Sequence, residues 1–323
     1  MSKNTIIWLI VATILVLSGL IVFASALTAY DWDFDNLSTE NYKTSTHENL
    51  SEEFTDISID TDTADIIFVP STDGKVKVEC YESEKEKHEV YVQDNTLTIN
   101  VKNDKEWYNY IGINLSFNSP KITVYLPQRE YNALVIKEST GDVELPNDFT
   151  FQSIDIISST GDIKCQAAAK SDVSIRTSTG DIDLQNVFAE SFDLSTSTGE
   201  IFASKITCQN NFDVKVSTGD VNLNSVNCQN FTSTGSTGDI KMDGVVATQN
   251  FTIVRSTGYV LLNGCDGGEI NIQTDTGDIN GSLLSEKIFL TSTDTGSVNV
   301  PNTTTGGKCQ ITTDTGDIHI TIK

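Results

Sequence analysis

The sequence has few basic residues, few histidines and few prolines. Its 323 residues include 21 lysines and arginines against 45 aspartates and glutamates, which gives a formal net charge of −24. Proteins that bind a nucleic-acid backbone or an anionic lipid surface carry a basic patch, so this balance argues against a nucleic-acid partner and favours neutral or cationic ligands. Five prolines and 21 glycines among many Thr, Ser, Asn and Asp residues are typical of strands and turns, and too few for a disordered tail.

The cysteines and histidines form no recognisable chemical motif. There are six cysteines without C-x-x-C spacing, and His47, His88 and His319 are far apart. This distribution argues against a clustered zinc site and against a thioredoxin-like redox pair. No histidine belongs to a triad or metal pattern either, so we predict that the protein is not an enzyme and has no cofactor, with Ca²⁺ as the one ion considered below.

The N-terminus carries one long apolar run. Residues 6–29 contain no charged side chain and are long enough to cross a bilayer core of about 30 Å. Lys3 precedes this run and three aspartates follow it, which predicts a cytoplasmic N-terminus and an extracytoplasmic remainder. We therefore assign 1–30 to a single-pass membrane anchor. A cleaved signal sequence is the alternative, because "ASA" at 24–26 fits a cleavage pattern. The acidic stretch 31–53 is predicted to be a solvated linker.

A short motif, Thr-Gly-Asp-Ile or a close variant, returns at intervals of 19 or 20 residues. Its glycines are Gly141, Gly161, Gly180, Gly199, Gly219, Gly238, Gly258, Gly277, Gly296 and Gly316. A fixed period near 20 is typical of a solenoid, and the Leu and Asn spacing of leucine-rich repeats is missing. The sequence therefore predicts an all-β, single-stranded β-solenoid (β-helix) with one repeat per turn.

Alignment on the glycine shows which residues face inward. The residue two positions after the glycine is Val or Ile in all ten repeats, and apolar residues alternate on both sides of the motif, as in half-buried strands. The alternation changes phase at the glycine, which marks a corner where glycine supplies the backbone freedom and Asp caps the turn. A second change of phase between four and seven residues after the glycine suggests a roughly three-sided coil.

The solenoid is predicted to span 54–323. Regular turns fill 135–323, whereas 54–134 contains a degenerate copy of the motif around Ala64 and is assigned to irregular turns of the same coil. Residues 103–120 interrupt these turns as a loop rich in aromatic side chains. Trp107, Tyr108, Tyr110 and Phe117 of this loop are candidates for recognition of a sugar or a protein partner. The alternative is that they fold back and cap the coil.

Carboxylates accumulate at the C-terminal corners. The predicted cation site consists of Asp275, Asp278, Asp294, Asp314 and Asp317. Stacked like charges repel, and a hard ion such as Ca²⁺ prefers oxygen ligands and would relieve that repulsion. The alternative is that each aspartate accepts turn amides and is otherwise solvated, since the nonapeptide pattern of Ca²⁺-binding β-rolls is missing.

Two further features stand out in the repeats. Cys208 and Cys228 occupy the same place in adjacent turns and are predicted to lie close enough for a disulfide, with a buried ladder of free thiols as the alternative. Arg255 falls in an inward column that is otherwise mostly Thr, Ser or Val, in the repeat where Tyr259 replaces the acid. A departure from the repeat pattern, as at Arg255 and Tyr259, is a candidate position for a functional site. The repeated carboxylates elsewhere form no unique pair of the kind that catalysis requires.

The chain resembles the bacterial putative-adhesin family, a domain of unknown function that follows an N-terminal membrane segment in many cell-envelope proteins. The resemblance rests on "ISIDTDTADIIFVPS", on "ITVYLP" at 122–127, on "ALVIKESTGDVEL" and on the "STGDI" series, and it covers about 54–323. It implies a β-solenoid displayed outside a bacterial membrane, sometimes linked to envelope stress, and brings no catalytic residues.

Together these features predict a membrane-anchored, extracytoplasmic scaffold that binds a cell-envelope glycan or protein. The alternatives are an accessory of an envelope-stress sensing system, whose partner would contact the helix or the linker, and a glycan-active β-helix enzyme.

Overall fold

The protein is described here by a computed structural model that covers residues 3–29, 42–48, 50, 53–83, 86–102 and 119–323. One α-helix, α1 (Lys3–Ala29), precedes the sheet. Its segment Trp8–Ser25 has a mean hydropathy of 2.5 and, within the described residues, is the one segment long and apolar enough to cross a membrane. A signal sequence would show the same features, so the helix fits both an anchor and a cleaved leader.

The rest of the described chain consists of strands. The N-terminal part contains β1 (Tyr42–Glu48), β2 (Asp56–Thr63), β3 (Asp65–Pro70), β4 (Lys77–Ser83), β5 (His88–Gln93), β6 (Thr96–Val101) and β7 (Lys121–Leu126). The middle part contains β8 (Glu130–Thr140), β9 (Val143–Leu145), β10 (Thr150–Thr160), β11 (Ile163–Cys165), β12 (Ala168–Ala169), β13 (Asp172–Thr179), β14 (Ile182–Gln185), β15 (Phe188–Ala189), β16 (Ser191–Thr198), β17 (Ile201–Cys208) and β18 (Asn211–Thr218). The C-terminal part contains β19 (Val221–Thr237), β20 (Ile240–Thr257), β21 (Val260–Thr276), β22 (Ile279–Leu283), β23 (Lys287–Thr295), β24 (Val298–Asn299), β25 (Gly307–Thr315) and β26 (Ile318–Ile322).

The regular turns stack in parallel and in register, which confirms the predicted β-solenoid. Up to the Gly277 turn, the strand before each glycine pairs with the equivalent strand of the next turn, as in Ile175 of β13 against Leu194 of β16. The strand after each glycine does the same, as in Ile182 of β14 against Ile201 of β17. A shorter third side is formed by pairs such as Ala189 of β15 with Cys208 of β17.

Stacked columns of identical or similar side chains form the core. Phe192, Phe212, Phe231 and Phe251 occupy one column in four successive turns, all at most 1% exposed, with ring centroids 5.3, 6.3 and 4.9 Å apart. Burial of each such side chain contributes about 1.5–3 kcal/mol relative to exposure. Because each column repeats every turn, a short apolar alternation in the sequence becomes a continuous interior.

The second corner lies six residues after the motif glycine. In five successive turns that residue has a left-handed backbone with φ between 55° and 63°; these residues are Asn186, Lys205, Ser225, Gly244 and Gly264. The following residue is buried in the same five turns. In the next turn the residue with the same spacing from the glycine, Leu284, is 49% exposed, and Leu283 takes the buried place instead.

The last turns do not stack in chain order. The Gly277 amide donates to the carbonyl of Thr315, and the Gly316 amide donates to the carbonyl of Thr295. The final strands β25 and β26 are therefore inserted between the Gly277 turn and the Gly296 turn, and β24 lies on the outer edge of β26. The Gly296 turn, rather than the C-terminus of the chain, ends the described rod.

The N-terminal part is less regular than predicted. The Ala64 corner stacks directly on the Gly141 corner, because the Ala64 amide donates to the carbonyl of Thr140. Beyond it, however, β4 pairs antiparallel with β7 and β1, and β5 pairs antiparallel with β6. The predicted linker 31–53 therefore contains a strand, β1, that belongs to the sheet, and the linker prediction is wrong for that stretch.

Candidate functional site

The Thr-Gly-Asp corner is built around a glycine with no room for a side chain. Gly180 has φ +141°, and a Cβ atom on it would lie 2.0 Å from the carbonyl oxygen of Gly161 in the preceding turn. The same close approach recurs at the other motif glycines from Gly161 to Gly316, at 1.8–2.2 Å. Glycine is required here both by its backbone conformation and by the packing of one corner on the next.

The aspartate after the glycine links successive turns. Its Oδ1 atom accepts the backbone amide of the equivalent residue in the next turn, at 2.7–3.2 Å. The bonds run from Asp142 to Asp65, Asp162 to Asp142, Asp181 to Asp162, Glu200 to Asp181, Asp239 to Asp220, Tyr259 to Asp239, Asp317 to Asp278 and Ser297 to Asp317, donor first. The motif therefore forms a hydrogen-bonded ladder along one edge of the rod, which we call the aspartate ladder.

The threonines of the motif divide into two columns. The threonine directly before each glycine is exposed. Its carbonyl accepts the amide of a motif glycine in the adjacent turn; the Gly161 amide, for example, donates to the carbonyl of Thr179. Its side chain therefore lies outside the core. Two residues earlier the side chain is interior: Thr177, Thr196, Thr274 and Thr313 are at most 5% exposed.

The five predicted calcium ligands lie on three consecutive layers at the C-terminal end of the aspartate ladder. The order of layers is Asp275 and Asp278, then Asp314 and Asp317, then Asp294. Asp278 and Asp317 each use Oδ1 for a ladder bond, and the amide and hydroxyl of Ser297 lower the pKa of Asp317. All five are exposed. The geometry therefore supports a role for Asp278 and Asp317 as acceptors of backbone amides at the corner. Calcium binding by the five aspartates stays a prediction.

Two charged residues interrupt the interior threonine column. Glu138 is 6% exposed, neither carboxylate oxygen has a hydrogen-bond partner, and burial raises the pKa of this carboxyl group to about 8, with Asp142 and Asp65 adding to the effect. Arg255 is 1% exposed; burial lowers the pKa of its guanidinium group.

The Arg255 side chain reaches across the interior. It bonds the carbonyl of Val216, two turns away, with Nη1 at 3.0 Å, and lies in space left by Gly235, where a Cβ would be 1.7 Å from Nη1. Its Nε and Nη2 atoms have no partner. The absence of a side chain at Gly235 thus makes room for Arg255. The prediction that the Arg255 side chain faces the interior is correct.

A polar cluster that sequence reasoning missed lies in the N-terminal part of the rod. The two ring nitrogens of His88 contact Thr61 Oγ1 and Glu82 Oε2, each at 3.0 Å, and the His88 amide donates to the same Glu82 oxygen at 2.7 Å. Cys80 has its Sγ within 4.8 Å of the other ligand atoms, and burial raises the pKa of its thiol to about 12. We call Cys80, Glu82 and His88 the Cys-Glu-His cluster.

This arrangement has the hydroxyl–imidazole–carboxylate order of a nucleophilic triad. Thr61, Glu82 and His88 are, however, only 2%, 6% and 5% exposed, so a substrate has no access to the hydroxyl. The only signal in the sequence is the spacing Cys-x-Glu with a histidine six residues later, and this spacing does not reveal that Thr61 contacts His88 in the fold.

Residues 54–210 and 204–323 each match the domain family described as Toastrack DUF4097, so the matches span the whole described solenoid. The chain belongs to the Toastrack DUF4097 family. No match is found among the curated proteins.

Several solved structures are similar in outline. A putative adhesin from Bacteroides fragilis is 17% identical over 86% of this chain and 97% of its own, with a TM-score of 0.44. A putative adhesin and a putative lipid-binding protein from Parabacteroides distasonis are 12% and 18% identical over 87% and 88% of this chain and 98% of each of theirs, both with TM-scores of 0.48.

The remaining predicted sites are placed as follows. Cys208 at the end of β17 and Cys228 within β19 occupy equivalent places in adjacent turns, since the preceding residues Thr207 and Asn227 pair. Both thiols are free and buried, and Cys208 Sγ lies 3.2 Å from the carbonyl of Asn211. The disulfide therefore stays a prediction. The aromatic residues Trp107, Tyr108, Tyr110 and Phe117 lie outside the described residues.

Proposed function

We propose that this Toastrack protein is a membrane-anchored, extracytoplasmic rod that acts as a non-enzymatic binding scaffold at the cell envelope. The observation that carries the proposal is the aspartate ladder, which repeats a carboxylate at the same corner in most turns and suits a partner that makes many similar contacts. Helix α1 supports the anchor, and the charge of −24 favours neutral or cationic partners over nucleic acid.

The burial of the hydrogen-bonded residues Thr61, His88 and Glu82 supports the hypothesis that the protein is not an enzyme. Catalysis needs a group that reaches the substrate, and these three side chains are enclosed by the sheet. The acidic groups on the surface repeat from turn to turn, so they provide no unique pair of the kind that glycan hydrolysis requires.

Co-sedimentation tests this function. The detergent-solubilised full chain is mixed with purified cell-wall sacculi, and pelleted protein and released soluble sugar are measured together. We expect saturable pelleting without sugar release, and at most a twofold change in Asp181→Asn, because one carboxylate among many similar ones contributes little. Failure to pellet, or release of sugar that one substitution abolishes, would contradict the proposal.

Within this function, the C-terminal aspartates are the proposed cation site. Asp275, Asp314 and Asp294 repeat one position in three layers, and no ladder bond occupies them. Calorimetric titration of Ca²⁺ into the full chain is expected to give saturable heat that disappears when Asp275, Asp278, Asp294, Asp314 and Asp317 are changed to Asn. Equal heat in both proteins would contradict a cation site at these aspartates and would indicate that they only accept backbone amides at the corners.

A further inference from the structure

The Cys-Glu-His cluster joins three different metal-ligand types in the interior of the N-terminal part of the rod. Cys80 and Glu82 lie on β4, and His88 begins β5. One ligand atom from each residue lies within 4.8 Å of the other two, and all three residues are at most 6% exposed. We propose that Cys80, Glu82 and His88 bind a zinc ion.

The spacing suits a tetrahedral ion. With Zn–N and Zn–O lengths of about 2.0–2.2 Å, two ligands at a tetrahedral angle lie about 3.3–3.5 Å apart. His88 Nδ1 and Glu82 Oε2 are 3.0 Å apart, so a shift of a few tenths of an ångström opens the site. The Cys80 sulfur is the third ligand, and the fourth position is left for a water molecule.

The mixture of donors selects the class of metal. A thiolate together with an imidazole suits Zn²⁺, whereas Ca²⁺ and Mg²⁺ prefer sites made entirely of oxygen atoms. This separates the cluster from the aspartate ladder, whose exposed carboxylates suit only hard cations. The two proposals therefore concern different ions and opposite parts of the rod.

Neighbouring residues already hold the ligands in the required orientation. Thr61 Oγ1 contacts Nε2 of His88 at 3.0 Å, which directs Nδ1 towards Glu82. The Ser45 hydroxyl donates to Oε1 of Glu82 at 2.6 Å, and the His88 amide holds Oε2 at 2.7 Å, so that Oε2 and Nδ1 face each other. Bonds of this kind fix the tautomer and the direction of metal ligands in known sites. Thr61 lies on β2 and Ser45 on β1, so the site would join four strands.

The position of the site gives it a structural role. The bonds of the aspartate ladder join most successive turns between Asp65 and Ser297, but β1, β4 and β5 lie beyond its N-terminal end and pair antiparallel. A metal ion that joins β4 to β5, supported by Ser45 of β1, would fasten this end of the rod where the repeated corner is missing.

Cobalt substitution tests the site directly. Co²⁺ is titrated into the metal-free full chain, and the near-ultraviolet charge-transfer absorption of a thiolate–cobalt bond is recorded. We expect one equivalent to saturate the band, Zn²⁺ to displace it, Cys80→Ser to abolish it, and Glu82→Gln and His88→Gln to weaken binding by at least tenfold. Cys208→Ser and His319→Gln, which alter a cysteine and a histidine elsewhere, should leave the band unchanged.

Two measurements keep the test decisive if a cluster variant unfolds. Circular dichroism shows whether each variant keeps its strand signal, and the melting temperature of the parent chain is measured with and without one equivalent of Zn²⁺. We expect a rise in melting temperature that a chelator reverses. No band and no rise in the parent, or a band that survives Cys80→Ser, would overturn the proposal.

Discussion

Oδ1 of Asp162 accepts the backbone amide of Asp181 at 2.8 Å, and this one bond explains the acid of the repeated motif. The carboxylate ties its own corner to the next and satisfies an amide that no strand partner reaches. We predict that Asp181→Ala, which removes the acceptor for the Glu200 amide, lowers the free energy of unfolding by about 1 kcal/mol, and that Asp181→Asn costs less because an oxygen acceptor remains.

Urea unfolding of the full chain in detergent measures this difference. Asp275→Ala is the control, because Asp275 is exposed and carries no ladder bond, so its effect should stay within about 0.5 kcal/mol. Equal effects of Asp181→Ala and Asp275→Ala would show that the ladder bonds do not stabilise the rod.

The two corners of one turn differ in whether they can accommodate a side chain in place of glycine. Gly238 has φ +129°, and a Cβ on it would lie 2.0 Å from the carbonyl oxygen of Gly219. Gly244 has φ +63°, and the atoms nearest to a Cβ on it would be backbone atoms of Ser225 at 4.0 Å, an ordinary contact distance. We predict that Gly238→Ala destabilises the protein by more than about 3 kcal/mol. Gly244→Asn should cost less than about 1 kcal/mol, since Asn186 adopts the same conformation at the equivalent corner three turns earlier. Thermal unfolding of the two variants provides the comparison.

Much of this architecture could be predicted from the sequence. The period of 19 or 20 residues gave the solenoid, and columns such as Ile182 and Ile201 gave the inward faces. The exchange of order among the last turns could not be predicted, because the Gly277 and Gly316 repeats are alike and either neighbour satisfies the same bonds. The Cys-Glu-His cluster was missed for another reason: its antiparallel strands do not share the repeat.

Stability should depend on pH through Glu138. Burial raises its folded pKa to about 8 from the ordinary value of 4.5, so the folded protein holds this proton more tightly than the unfolded chain does. Its contribution to stability is complete below about pH 4.5 and is lost progressively as the pH rises to about 8. We predict that Glu138→Gln removes this loss and is the more stable protein at pH 9, by on the order of a few kcal/mol.

Unfolding at pH 5 and pH 9 checks this effect. The exposed Glu144 provides the control, because its substitution by Gln should change stability equally at the two pH values. A stability difference between parent and Glu138→Gln that does not grow with pH would contradict a neutral buried carboxyl group.

Arg255 should be dispensable for folding. Its guanidinium group is buried with one hydrogen bond and two unpartnered nitrogens, and a methionine of similar length would avoid that desolvation cost. We predict that Arg255→Met raises the melting temperature, whereas Arg176→Met on the surface changes it little. A large loss of stability in Arg255→Met would instead indicate that the buried charge has a partner essential to the fold.

The central claim, that the rod stands outside the membrane on an N-terminal helix, is tested most directly by protease treatment of intact cells that produce the full chain. Epitopes are placed before Met1 and after Lys323. The account predicts that the C-terminal epitope is lost from intact cells while the N-terminal epitope, and a cytoplasmic control protein, survive until lysis. A C-terminal epitope that is protected until the cells are broken would contradict it.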